Sequence, residues 1–123
     1  MRFICIFAVC NNYKLENMQN ETQFLQKVKQ SVKSQYPDAQ VILFGSQARK
    51  QANSDSDWDF LILLNNYKIS PEIEKSIRHP LYRLEWETGQ IISTLIKPKA
   101  QWESETYKNT DLYKNILEEG KML

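Results

Sequence analysis

The chain has 123 residues, which is the length of one compact domain and too short for two. Hydrophobic residues make up 41% and charged residues 25%, so a wholly disordered chain is excluded. The formal net charge of +1 excludes the strong positive field of a dedicated nucleic-acid binder. Cys5 and Cys10 both lie in the first ten residues and cannot crosslink the rest of the fold, so a reducing cytoplasm is the expected compartment.

Residues 1–19 are interpreted as an N-terminal extension, and residues 20–123 as the folded domain. Arg2 precedes a short apolar run that loosely resembles the start of a signal peptide. Two other interpretations stay open, namely a natural start at Met18 and an added strand or partner-binding tail. The run is far shorter than the roughly 20 apolar residues that cross a bilayer, so no membrane association is predicted.

The domain is predicted to combine helices with short buried strands. Asn20 and Gln23 form a capping box that begins a first helix, and Pro37 ends it. Three continuous apolar runs predict buried strands over residues 41–44, 60–64 and 91–96. A short helix is expected over residues 47–52. The pattern predicts a single α/β domain with a small sheet.

A second long helix is predicted from Ser70 and Pro71 to Gly89. Pro80 lies inside it, and a kink or a split is expected there because proline lacks a backbone N–H. The residue before it, His79, is assigned to the surface.

The last third of the chain has a weaker pattern. Trp86 and Trp102 are interpreted as packing anchors, because burial is the commoner use of aromatic side chains. Trp102 lies in a segment that has room for a short helix. Thr110 caps a last helix, and Gly120 ends it.

Asp57 and Asp59 are candidate metal ligands at the entrance of the second strand. Residues two apart in a strand point to the same face, so both carboxylates project together and Trp58 points to the other side. Close carboxylates repel each other, and a divalent cation, Mg²⁺ or alternatively Mn²⁺, relieves that repulsion. Asp55 either adds a ligand or only shapes the turn, and a lone pair of this kind is more often a solvated turn.

Gly45 and Ser46 end the first strand and open the short helix. Backbone amides can approach a phosphate closely there, and a helix N-terminus favours negative charge. Ser46 can donate its hydroxyl, and Arg49 can bind phosphate oxygens through two N–H groups. A phosphate anchor beside a metal site indicates phosphoryl or nucleotidyl transfer.

The order and spacing of these motifs resemble a known family. Gly45-Ser46, ten further residues, and Asp57-x-Asp59 before an apolar strand resemble the signature of the polymerase β-like nucleotidyltransferase superfamily. In size the chain is similar to its minimal branch, the MNT-type proteins, over residues 20–123, and residues 112–120 are similar to the closing helix of that branch. The resemblance implies an α+β fold with a small mixed sheet and helices packed on one side.

The resemblance also implies a role for each motif. Gly45 and Ser46 would hold the phosphates of ATP or another nucleoside triphosphate, and Asp57 and Asp59 would hold Mg²⁺. A nucleoside monophosphate, with AMP as the expected group, would pass to a hydroxyl of a protein or a small molecule. MNT-type proteins are often antitoxins that attach AMP to a helical HEPN-type partner, so such a partner is one candidate acceptor. The resemblance leaves open whether the chain associates with further copies of itself.

Two departures from the family pattern bear on catalysis. Gln47 and Lys50 stand where many relatives have arginine and glycine, which would alter the grip on the triphosphate. Active members usually present a third carboxylate from a later strand, and residues 90–96 contain no acid. Glu85 and Glu87 are the nearest substitutes, but they are predicted to lie at the end of a helix.

Two other functions fit the sequence. A non-catalytic subunit could use the same fold to dock a partner, which the missing third acid favours and the retained Asp57 and Asp59 disfavour. A drug-modifying transferase is the weaker alternative, because those enzymes usually carry an additional helical domain.

Overall fold

A four-stranded sheet lies at the centre of the domain. A computed structural model describes residues 21–49, 57–66 and 68–123 of the chain. The strands are β1 (Gln40–Phe44), β2 (Trp58–Leu64), β3 (Ile92–Pro98) and β4 (Lys121–Met122), in the order β3-β2-β1-β4. β2 runs parallel to β3, whereas β1 runs antiparallel to both β2 and β4. The predicted α/β domain with a small mixed sheet is therefore confirmed.

Within the described residues, two long helices and three short ones surround the sheet. They are α1, described over residues 21–33, and α2 (Pro71–Thr88), α3 (Lys99–Trp102), α4 (Glu105–Lys108) and α5 (Asp111–Glu119). Ser70 caps α2 as predicted, because its hydroxyl accepts the Ile73 N–H at 3.2 Å. Thr110 caps α5 in the same way, through the Tyr113 N–H at 3.2 Å. The predicted capping residue Asn20 lies outside the described residues.

The sheet is covered on both faces. On one face, α1 and α2 bury an apolar cluster around Phe60 and Ile62 of β2. On the other face, Leu61 and Leu63 of β2 pack with Trp102 of α3 and with α5. The expectation of helices on one side holds for the two long helices only. Side chains alternate between the faces of β2, and its continuous apolar run therefore presents a second apolar surface, which the short helices cover.

The helix α2 runs unbroken through Pro80, so the predicted split does not occur. A proline cannot donate to the carbonyl four residues earlier, which here belongs to Ser76. That carbonyl instead accepts a hydrogen bond from Nε2 of Gln35 at 2.7 Å. The bond lost inside α2 is thus replaced by one from the segment that follows α1.

The two tryptophans predicted as packing anchors differ in their burial. Trp102 is buried as predicted, at 6% exposure. The prediction for Trp86 is wrong, because its side chain is 89% exposed. The buried positions of α2 include Leu81 and Leu84. Trp86 follows Leu84 by two residues, and residues two apart on a helix do not share a face. His79 is exposed as predicted, and no helix in the described part of the chain is long and apolar enough to cross a membrane.

Candidate active site

Gly45 ends β1 in a backbone conformation that favours glycine. Its φ is +77°, in the left-handed region. A Cβ built at this position would lie 2.5 Å from Oδ2 of Asp59, a distance that real contacts essentially never show. The proposed phosphate-binding turn therefore lies directly against one of the two candidate metal ligands.

The residues after Gly45 form one helical turn. The Arg49 N–H donates to the Gly45 carbonyl at 3.1 Å, and Ala48 is buried beneath the turn. Ser46 lies in this turn and is half-buried. The rest of the predicted short helix, residues 50–52, lies outside the described residues, as does Asp55.

The two aspartates lie next to each other at the entrance of β2. Asp59 is half-buried and pairs with Phe44, the last residue of β1. Asp57 is exposed and immediately precedes β2. The negative charge of Asp57 is close enough to raise the pKa of the Asp59 carboxyl. The structure thus brings together the two acids that the sequence pattern predicted to act together.

The electrostatics of Asp59 favour a bound cation. Burial, as the largest cause, and then the Asp57 charge raise the pKa of Asp59 above its ordinary value of 3.8, while Arg49 lowers it. The charged form of this carboxylate is therefore held at an energetic cost, which a divalent cation would offset. Hard oxygen ligands of this kind fit Mg²⁺ or Mn²⁺.

Trp58 holds the backbone between the two aspartates. Its ring is 6% exposed and packs against Phe24 with the ring centroids 4.9 Å apart. Its Nε1–H donates to Oε1 of Gln90 at 2.9 Å, and its backbone N–H donates to the Ile91 carbonyl at 2.8 Å. Gln90 was not among the residues predicted for the site. The available signal was that a buried indole N–H needs an acceptor.

A serine, Ser93, stands on the strand next to Asp59. Parallel pairing places Ser93 beside Asp59, and side chains of paired residues share a face. Glu85 is engaged with β3, because its Oε1 accepts the Ile92 N–H at 2.7 Å. Glu87 is exposed at the end of α2. Within the described ranges, no three His, Cys, Asp or Glu side chains are grouped so that they could hold a metal.

Arg49 contacts a residue that the sequence analysis did not single out. Its Nη1 donates to Oε2 of Glu119, at the end of α5, at 2.7 Å. Glu119 is far from Arg49 in sequence, and no spacing rule could connect them. The pairing of β4 with β1 brings the end of α5 to this edge of the sheet.

Comparison with known proteins agrees with this geometry. A family model described as a nucleotidyltransferase domain matches residues 25–123. That range contains both candidate motifs, and the match confirms the resemblance to the polymerase β-like nucleotidyltransferases. No curated protein matches the chain.

Gly45→Ala is expected to destabilise the protein and to displace Asp59. A left-handed backbone costs an L residue about 1–2 kcal/mol, and the new Cβ would also collide with the Asp59 carboxylate. Gly89→Ala is the matched control, because Gly89 has a φ of +71° with no heavy atom near the added Cβ. Urea unfolding should show a larger loss for Gly45→Ala, and equal losses would contradict the close contact.

Asp59→Asn is expected to stabilise the metal-free protein at neutral pH. The pKa of Asp59 is raised in the folded state, so the wild type loses stability as pH rises from about 3.8 through the folded pKa. Asparagine carries no such proton and avoids that loss. Urea midpoints at about pH 3 and pH 7 test this, with the exposed Asp38→Asn as control. A wild type that is the more stable protein at pH 7 would refute it.

Proposed function

Because the chain belongs to the nucleotidyltransferase domain family, we propose that it transfers AMP from ATP to a hydroxyl group in a Mg²⁺-dependent reaction. One observation carries the proposal, namely that the Gly45 turn and the Asp59 carboxylate meet at a single point. A triphosphate bound at the turn would lie within reach of a cation bound by Asp57 and Asp59.

The residues of the chain would bind and orient the nucleotide. The turn from Gly45 to Arg49 would supply backbone amides, the Ser46 hydroxyl and a guanidinium to the phosphates. When bound, Mg²⁺ shields the charge that develops on the α-phosphate and on the departing pyrophosphate. In the transfer, the acceptor oxygen forms a bond to the α-phosphorus while the bond to pyrophosphate breaks, and the acceptor proton passes to a base.

The acceptor that we propose is a hydroxyl on a protein. The domain is small and offers little surface for a separate acceptor-binding unit. Tyr82 and Trp86 on α2 are 53% and 89% exposed, and exposed aromatic side chains often mark partner surfaces. A small helical HEPN-type protein is the candidate partner, with this chain as a cytoplasmic antitoxin.

A partner-docking protein without catalytic activity is the second candidate. The observation that favours it is the serine beside Asp59, where a third carboxylate would complete the metal site. The close pairing of Asp57 with Asp59 opposes it, because mutual repulsion is a cost that docking alone would not require.

The first test is calorimetric titration of ATP with and without Mg²⁺. We expect binding in the micromolar to millimolar range only with the metal, and we expect Asp57→Asn to abolish it because one of two metal ligands is lost. Asp38→Asn, an exposed acid in the turn that follows α1, is the control. No binding to the wild type at millimolar ATP would favour the docking function.

Ser93→Asp is expected to strengthen Mg²⁺ binding about tenfold. The new carboxylate would stand on the strand next to Asp59, at the usual inter-strand spacing of about 4.8 Å, and Ser93 is exposed, so it can be accommodated. Ser34→Asp makes the same chemical change on an exposed residue that follows α1. Magnesium titrations in which both variants behave alike would show that Ser93 does not face the site.

A further inference from the structure

Arg49 and Glu119 are distant in sequence and form an ion pair beside the candidate site. Nη1 of Arg49 lies 2.7 Å from Oε2 of Glu119. The arginine side chain is 44% exposed and the glutamate side chain 23%. The contact joins Nη1 to one carboxylate oxygen, so it restricts the direction of the planar guanidinium.

The arginine is held at its backbone. The Arg49 N–H is bonded to the Gly45 carbonyl at 3.1 Å, and the neighbouring Ala48 is buried. The guanidinium therefore extends from a fixed point at the end of β1, next to the turn proposed to bind phosphate.

The backbone next to Glu119 is also anchored to β1. At Gly120, which follows Glu119, an added Cβ would collide with the carbonyl oxygen of Ile116 and would lie 2.9 Å from Cγ2 of Ile42. The backbone conformation does not require glycine here, because a φ of −67° suits any residue. Glycine is required by the close packing around its Cα. The next residue, Lys121, pairs with Leu43 of β1. Both partners of the ion pair are thus fixed to the same strand.

The pair is not expected to add much stability. Exposed pairs contribute little, partly because two long side chains lose conformational freedom. The backbones at both ends are fixed by hydrogen bonds and packing, so the two side chains start from fixed positions. The main consequence of the pair is then the direction of the guanidinium.

That direction matters because two carboxylates compete for Arg49. Its positive charge is close enough to Asp59 to lower the pKa of that carboxyl. Without Glu119, the guanidinium would be drawn towards Asp59 and Asp57, whose charges the cation needs. Glu119 offers a competing negative charge, 2.7 Å from Nη1 of the arginine.

We propose that Glu119 is a positioning residue, which holds the Arg49 guanidinium towards the nucleotide phosphates and away from the metal-binding aspartates. The inference rests on the proposed function, and it adds the end of α5 to the nucleotide site. The ligand that it concerns is the triphosphate of a nucleotide bound with its metal.

The test is a double-mutant cycle on MgATP affinity, measured by calorimetry on the whole chain. The variants are Glu119→Gln, Arg49→Ala and the double variant, with Glu118→Gln as the control on an adjacent, exposed glutamate. We expect Glu119→Gln to weaken MgATP binding about three- to tenfold. In the Arg49→Ala background the same substitution should have no further effect, because Glu119 acts through the arginine.

Three results would overturn the inference while leaving the proposed function intact. They are unchanged MgATP affinity in Glu119→Gln, the same loss in the Arg49→Ala background, and an equal loss in Glu118→Gln. If Glu119→Gln does not fold, Glu119→Asp keeps the charge and shortens the side chain, and it should weaken MgATP binding less. A wild type that binds no MgATP would remove the proposed function and this inference together.

Discussion

The antiparallel pairing of β1 with β2 determines where every described candidate residue lies. Its register sets Phe44 opposite Asp59, so the turn that follows β1 meets the acid at the entrance of β2. A shift of one residue would turn Asp59 towards the buried cluster under α1 and α2 and would turn Trp58 away from it. The apolar core of β2 does not select the register by itself, because both of its faces are buried. The packing of Trp58 against Phe24 and the close approach of the Asp59 carboxylate to Gly45 make the difference.

The site itself combines favourable geometry with unfavourable electrostatics. The backbone around Asp57 and Asp59 is fixed by a buried tryptophan, yet the two negative charges disfavour each other and one of them is half-buried. Such an arrangement costs stability, and a cation bound there would offset part of that cost. Arg49 lowers the pKa of Asp59 and so reduces the cost, and Arg49 also pairs with Glu119.

Local patterns were sufficient to predict most elements and the proximity of the two aspartates in the candidate site. The apolar runs, the caps at Ser70 and Thr110 and the two-residue spacing of Asp57 and Asp59 are all signals within a few residues. Long-range contacts were not predictable in this way. The exchange of a helical bond at Pro80 for a bond from Gln35, and the meeting of Arg49 with Glu119, depend on how distant segments pack. The short strand β4 has too few residues to carry any periodicity.

The pairing of β4 with β1 also bears on the order in which the site can form. Both aspartates and the Gly45 turn are translated well before Lys121, which pairs with Leu43. A nascent chain can therefore pair β1 with β2 while the other edge of β1 is still open and Arg49 still lacks Glu119. An open strand edge is prone to pair with other chains. The edge of the strand that leads into the Gly45 turn is thus protected only after residues 121–123 have been made and have paired with it.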